Sequence, residues 1–123
     1  MCIRDSRYSI WLEIELAAAE AMEKLKIIPK GVVKKVRSKA KINPKRILQI
    51  ENKVKHDIIA FLTSITERAG KEARYLHKGM TSSDVLDTCF NLQLKQSGKI
   101  LLKDIQEKKL KVFGKTIIDI RFG

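Results

Sequence analysis

Apolar residues recur at three- and four-residue spacing along most of the chain, and each such run predicts a helix. The first covers residues 10–26. Trp11, Ile14, Ala18, Ala21, Met22 and Leu25 form its stripe, and Glu13, Glu20 and Glu23 take the other faces. Pro29 disfavours helical geometry at the residue before it, so Ile27-Ile28-Pro29-Lys30-Gly31 closes the run. A short helix follows at 31–40. Asn43-Pro44 then supplies a capping side chain and a proline at the first helical position. Helical spacing continues from there to Ala69, with Gly70 as the closing residue, which predicts one helix about 39 Å long. Its stripe is Ile47, Ile50, Val54, Ile58, Phe61 and Ile65, all within about 40° of Val54. On one continuous helix His56 points about 160° away from that stripe, and Asp57 lies at its edge, about 60° off.

Residues 71–80 read as a connection, with a helical turn around Ala73–His77 and a break at Gly79. Thr81-Ser82-Ser83-Asp84 has the spacing of an N-terminal capping arrangement. A long helix follows, reaching Val112. Val85, Leu86, Cys89, Phe90, Leu92, Leu94, Ile100, Leu101, Leu102 and Ile105 do not keep to one of its faces. A helix apolar on several sides is normally surrounded by other helices, more of them than 123 residues supply. Truncation or obligate oligomerisation is therefore expected. Strand-like alternation occurs only weakly, in Thr116–Ile120. The fold class is all-α.

Composition narrows the function classes. Hydrophobic residues at 44% and charged residues at 33% argue for a folded chain. No stretch is long and apolar enough for a membrane span, because Glu13, Glu15 and Glu20 interrupt the best one. The same carboxylates exclude a secretory h-region. Two cysteines, Cys2 and Cys89, make no disulfide framework, so a reducing compartment, the cytoplasm, is the default. The net charge of +12 invites a nucleic-acid reading. Nineteen of the 26 basic residues are lysines spread along the chain, however, and the densest run, Lys34–Lys41, has no aromatic for base stacking. A solvated lysine-biased surface is the simpler account.

Two segments could carry chemistry. Lys55-His56-Asp57 places three ionisable groups in succession: a Lys and a His could hold an anion while Asp57 fixes a tautomer or a hydroxyl. Ordinary surface charge explains the trio more simply on spacing alone. His77-Lys78-Gly79-Met80-Thr81-Ser82-Ser83-Asp84 leads into a helix N-terminus, where free N–H groups, the helix dipole and three hydroxyls suit a carboxylate or phosphate. A plain capping box and a satisfied histidine explain it equally well. Cys89 reads as a core residue. Only two histidines exist, and no metal-ligand cluster has usable spacing.

At these two segments the sequence resembles the adenylosuccinate lyases of the fumarase/aspartase superfamily. Lys55-His56-Asp57-Ile58-Ile59-Ala60-Phe61 is similar to the family's K/R-H-D-V-x-A-F, and His77 to Cys89 to its H-x-G-x-T-S-S-D-V-x-D-T. Trp11–Leu16 resembles the family's first helix and Ile27-Ile28-Pro29-Lys30 its exit. The likeness covers about residues 10–105. The sister carboxymuconate cycloisomerases share the second element and lack the first, so Lys55-His56-Asp57 decides between them. The resemblance implies a small helical N-terminal domain followed by the first long helix of a helical-bundle domain. It implies β-elimination of fumarate from adenylosuccinate and from the related carboxamide ribotide, SAICAR, in purine nucleotide biosynthesis, without metal or organic cofactor. It implies that Lys55, His56 and Asp57 contact substrate, that Thr81 and Ser82 hold a carboxylate or phosphate, and that His77 orients substrate and supports proton transfer as a catalytic residue.

Departures from the family shape further expectations. The family's general-acid histidine, in a T/S-H-G element, and its general-base serine have no counterpart in this sequence. From about Gln106 the likeness ends. Family members are several times longer and work as homotetramers with sites shared among three subunits. The chain is therefore expected to be an N-terminal fragment, inactive alone. Residues 1–9 are expected to be a non-native or frayed leader, 10–80 the helical domain, 81–105 the first bundle helix and 106–123 a divergent truncated tail. Arg7-Tyr8-Ser9 looks like the family's substrate-contacting R-Y-S, but it abuts Trp11-Leu12-Glu13 directly and is read as helix sequence. The alternative function is a basic nucleic-acid-binding or protein-interaction module.

Overall fold

The computed structural model describes residues 3–112. The order is α1 (Ile3–Lys24), α2 (Val32–Lys39), α3 (Pro44–Val54), α4 (Asp57–Ala69), a 3-10 helix (Gly70–Tyr75) and α5 (Ser82–Val112). No strand occurs among the described residues. The alternation expected at Thr116–Ile120 and the tail beyond Val112 lie outside them. No helix is long and apolar enough to cross a membrane among the described residues. The chain divides into two compact units, one running to Cys89 and one from Phe90.

The first unit owns the core. Tyr8, Trp11 and Leu16 of α1 are buried with Val32 and Val36 of α2, Ile47 of α3, Phe61 and Ile65 of α4, and Val85 and Cys89 of α5. Three aromatic rings form its centre. Trp11 meets Tyr8 edge-on at 5.3 Å and Phe61 edge-on at 5.5 Å, while Tyr8 and Phe61 stack at 6.1 Å. Each such pair adds about 0.5–1.5 kcal/mol beyond its buried area.

α1 already includes residues 3–9, and Tyr8 is only 1% exposed. The first unit takes in the start of α5, with Val85 and Cys89 buried in its core. One expectation changes here. The single helix foreseen over 44–69 is two. Lys55 takes left-handed geometry (φ 55°) and its N–H donates to the Glu51 carbonyl, which ends α3. His56 is extended (φ −146°) and caps α4. The chain then folds back: Arg46, near the start of α3, makes a two-pronged ion pair with Glu67, near the end of α4, at 2.6 and 3.0 Å. On one straight helix those residues would stand about 31 Å apart. The predicted stripe centre, Val54, is 45% exposed as a result.

Other boundaries follow the sequence signals. Asn43 Oδ1 accepts from the Arg46 N–H at 3.1 Å with Pro44 at the first helical position. Gly70 closes α4 at φ 77°. α1 stops slightly earlier than foreseen. Lys26 turns left-handed (φ 59°), and Ile27 N–H reaches back to the Met22 carbonyl at 2.9 Å, leaving Leu25 in solvent.

Among the described residues, the second unit consists of the rest of α5. Phe90, Leu94, Ile100, Leu101, Leu102 and Ile105 are all exposed on it. The several-sided apolar character read from the sequence is thus borne on a helix with no covering element among the described residues.

Candidate active site

The break between α3 and α4 shapes the first segment. His56 stands where Ser, Thr, Asp or Asn usually caps a helix, and its Nδ1 accepts from the Ile59 N–H at 3.4 Å. An accepting Nδ1 puts the proton of the neutral ring on Nε2. That nitrogen lies 3.5 Å from the Ser82 hydroxyl oxygen, so two segments 26 residues apart meet there. Asp57 begins α4, and its carboxylate accepts from the Ile58 N–H at 2.7 Å, a negative charge suited to the positive end of the helix. Lys55 is exposed. Its left-handed backbone costs a residue with a Cβ about 1–2 kcal/mol. Because of the break, His56 is not turned away from the core as the continuous helix predicted: it is half-buried, with Nε2 near Ser82 at the start of α5.

The second segment is held at both ends. At its start His77 is also left-handed (φ 59°), and a single carboxylate grips it twice. Glu15 Oε2 accepts from the His77 N–H at 2.7 Å, and Glu15 Oε1 lies 2.6 Å from the His77 Nδ1. The Glu15 side chain is fully buried. Gly79 follows at φ 73°, a conformation that side chains disfavour, and nothing occupies the space where a Cβ would stand. At the segment's far end Thr81 and Asp84 form the expected reciprocal cap. The Asp84 carboxylate accepts from the Thr81 N–H at 2.7 Å and from its hydroxyl at 3.1 Å, and Asp84 N–H turns back to the Thr81 oxygen at 3.4 Å. The Thr81 N–H, the Thr81 hydroxyl and then the His77 charge hold the Asp84 carboxyl below the usual carboxylate range.

The structure therefore joins His56 to Ser82 and groups His77, Thr81 and Asp84. Among the described residues no hydrogen bond links His77 to His56. Thr81, foreseen as an anion donor, already donates to an anion of the chain's own. Glu15 was missed. It falls on the face of Tyr8, Trp11 and Ala19, all buried at three- and four-residue spacing, so an acid four positions after a core tryptophan was the available signal. Cys89 is buried, and burial pushes its thiol upward, as a core residue requires. Arg7-Tyr8-Ser9 is helix sequence. Arg7 lies 4.8 Å over the Trp11 ring and Ser9 donates to the Asp5 carbonyl. Among the described residues no group of His, Cys, Asp and Glu could hold a metal.

A ligand meeting the His56–Ser82 contact would find an imidazole, the exposed Lys55 beside it and the Ser82 hydroxyl at the start of α5. These features suit a polycarboxylate or phosphate.

The chain is similar to three curated adenylosuccinate lyases. It is 46% identical over 103 residues to that of Thermotoga maritima, which covers 84% of this chain and 24% of the relative. It is 46% identical over 97 residues to that of a Synechocystis species, covering 79% and 22%. It is 43% identical over 102 residues to that of Bacillus subtilis, covering 83% and 24%. The chain thus spans about a quarter of the length of the curated relatives it matches. Among solved structures it resembles a fumarate lyase from Mesorhizobium sp. BNC1, with a TM-score of 0.76 and 25% identity over 85% of this chain and 25% of that one. No family model matches it.

Proposed function

The chain belongs to the adenylosuccinate lyase family, of which it spans one part, and from that premise we propose that it supplies the anion-binding share of a lyase active site. The reaction is β-elimination: a base takes the proton beside a carboxylate of the succinyl group, the carbon–nitrogen bond breaks, and an acid protonates the departing nitrogen as fumarate leaves. Adenylosuccinate and SAICAR are the substrates, in the cytoplasm, within a homotetramer that brings in the remaining groups. Lys55, His56 and Ser82 bind the substrate's anionic groups, and Asp57 orients beside them. His77 supports proton transfer as the catalytic residue of this share. Thr81 joins when an incoming anion displaces the Asp84 carboxylate from its N–H and hydroxyl. No cofactor takes part.

The observation that carries this reading is the 3.5 Å approach of His56 Nε2 to Ser82 Oγ, which puts the two polar segments on one surface. Developing negative charge on the substrate is the main burden of the reaction, and preformed donors at a helix start meet it. The nucleic-acid alternative is not favoured. In the Lys34–Lys41 run Val36 is buried, Lys35 pairs with Glu72 at 3.3 Å and Arg37 pairs with Glu13 at 2.8 Å.

The test uses a chimera. Residues 10–105 of this chain replace the matching stretch of the Thermotoga maritima enzyme, and fumarate release from adenylosuccinate is followed. Activity is expected, falling about 10²- to 10⁴-fold in His77→Ala. The 123-residue chain alone is expected to show none. A folded but inactive chimera, or full activity without His77, defeats the proposal.

A further inference from the structure

We infer that Glu15 is a positioning residue that decides which imidazole nitrogen His77 presents to a ligand. The inference deepens the reading of His77 given above and rests on it. A carboxylate as buried as Glu15 is costly unless its oxygens are satisfied. Here both oxygens serve one residue: Oε2 takes the His77 main-chain N–H at 2.7 Å and Oε1 faces the ring Nδ1 at 2.6 Å. Where Glu15 is ionised it only accepts, and Nδ1 then carries the proton between them. The nitrogen left to give or take a proton is then Nε2. The left-handed backbone of His77 (φ 59°) fits the same purpose, because that turn brings its own N–H and Nδ1 to a single carboxylate. A carboxylate–imidazole pair of this kind holds both tautomer and ring orientation for proton transfer.

The two histidines are thereby set oppositely. His56 accepts at Nδ1 and offers Nε2–H, whereas His77 donates at Nδ1 and leaves Nε2 as the nitrogen that Glu15 does not engage. One ring is a fixed donor and the other a proton carrier.

The test is made on the 123-residue chain labelled with nitrogen-15, by long-range proton–nitrogen correlation of the imidazoles while the pH is raised. Nε2 of His77 is expected to move to the unprotonated position while Nδ1 keeps its proton. In Glu15→Gln the amide can donate to Nδ1 instead, so the His77 nitrogen shifts are expected to move toward the opposite, Nε2–H tautomer with helical content retained. Loss of the Nδ1 proton in the unaltered chain overturns the inference, and that readout stands even if Glu15→Gln unfolds. A folded Glu15→Gln with an unchanged tautomer also overturns it, leaving Glu15 as a simple clamp on the His77 N–H. An inactive chimera with the Nδ1–H tautomer present would refute the lyase reading alone. An active chimera with the Nε2–H tautomer would refute this inference alone.

Discussion

The stretch up to Cys89 and the described residues from Phe90 are both rich in large apolar residues, and only the first builds a buried core from them. In the first, Trp11, Leu16, Ile47, Phe61 and Ile65 are all at 0% exposure. In the second, Ile100 and Leu101 are 61% and 62% exposed. Among the described residues, the first unit closes a core from four helices and the start of a fifth. The described part of the second carries its apolar residues exposed on α5. Burial is what turns apolar content into stability, so the two should respond to truncation very differently.

The sharpest way to break that contrast is a pair of substitutions. Trp11→Ala is expected to cost about 3–5 kcal/mol, since it empties the centre of the aromatic cluster. Leu101→Ala in the isolated chain is expected to change stability by no more than about 0.5 kcal/mol. Urea unfolding followed by circular dichroism reads both. Equal costs would mean that the helix beyond Cys89 has a covered apolar face in solution, and the contrast between the units would vanish.

A second contrast lies inside the first unit, between a residue chosen for packing and one held against its own preference. Ile50, five positions before Lys55, is buried in a relaxed helix, while Lys55 sits left-handed and exposed. Lys55→Gly removes a penalty of about 1–2 kcal/mol and adds back about 0.5–1 kcal/mol of unfolded-chain entropy. A net gain of about 0.5–1 kcal/mol is expected, visible as a higher urea midpoint. In the chimera the same change should weaken substrate binding, because the cation is gone. A loss of stability on its own would show that the Lys55 side chain carries structural weight that its exposure hides.

This break is also where the sequence was least legible. Ile47 and Ile58 are eleven residues apart, close to three full helical turns, so the stripe runs through 44–69 unbroken in phase. No Gly, Pro or usual capping residue marks position 55 or 56. Tertiary contact decides instead: Phe61 and Ile65 join the Trp11 cluster only if α4 folds back. By contrast the Asn43-Pro44 start, the Gly70 stop and the Thr81–Asp84 cap were all readable, because each is a local bargain between one side chain and nearby backbone groups. The proposed site divides in the same way. His56, His77 and Ser82 stand in short motifs that can be read locally. The Glu15–His77 pair spans 62 positions and depends on how α1 packs, which no local pattern records.

The smallest effect tests the readable end of that division. The Asp84 carboxyl is held below its ordinary range chiefly by the Thr81 N–H, then by the Thr81 hydroxyl and the charge of His77. A depressed carboxyl means that the unfolded chain binds a proton at a higher pH than the folded one. Stability from the cap is therefore fully present above the unfolded value, about pH 4, and is lost as pH falls through the lower folded value. Asp84→Asn should be less stable than the unaltered chain at neutral pH, and the gap should close as the pH is lowered below about 4. Added salt should narrow it at neutral pH, since the pair is exposed. Thermal unfolding of both chains across the acid range is the measurement. A gap that stays constant down the titration would place the value of Asp84 in its shape and not its charge, and would remove the reason to regard its carboxylate as the chain's own substitute for a bound anion.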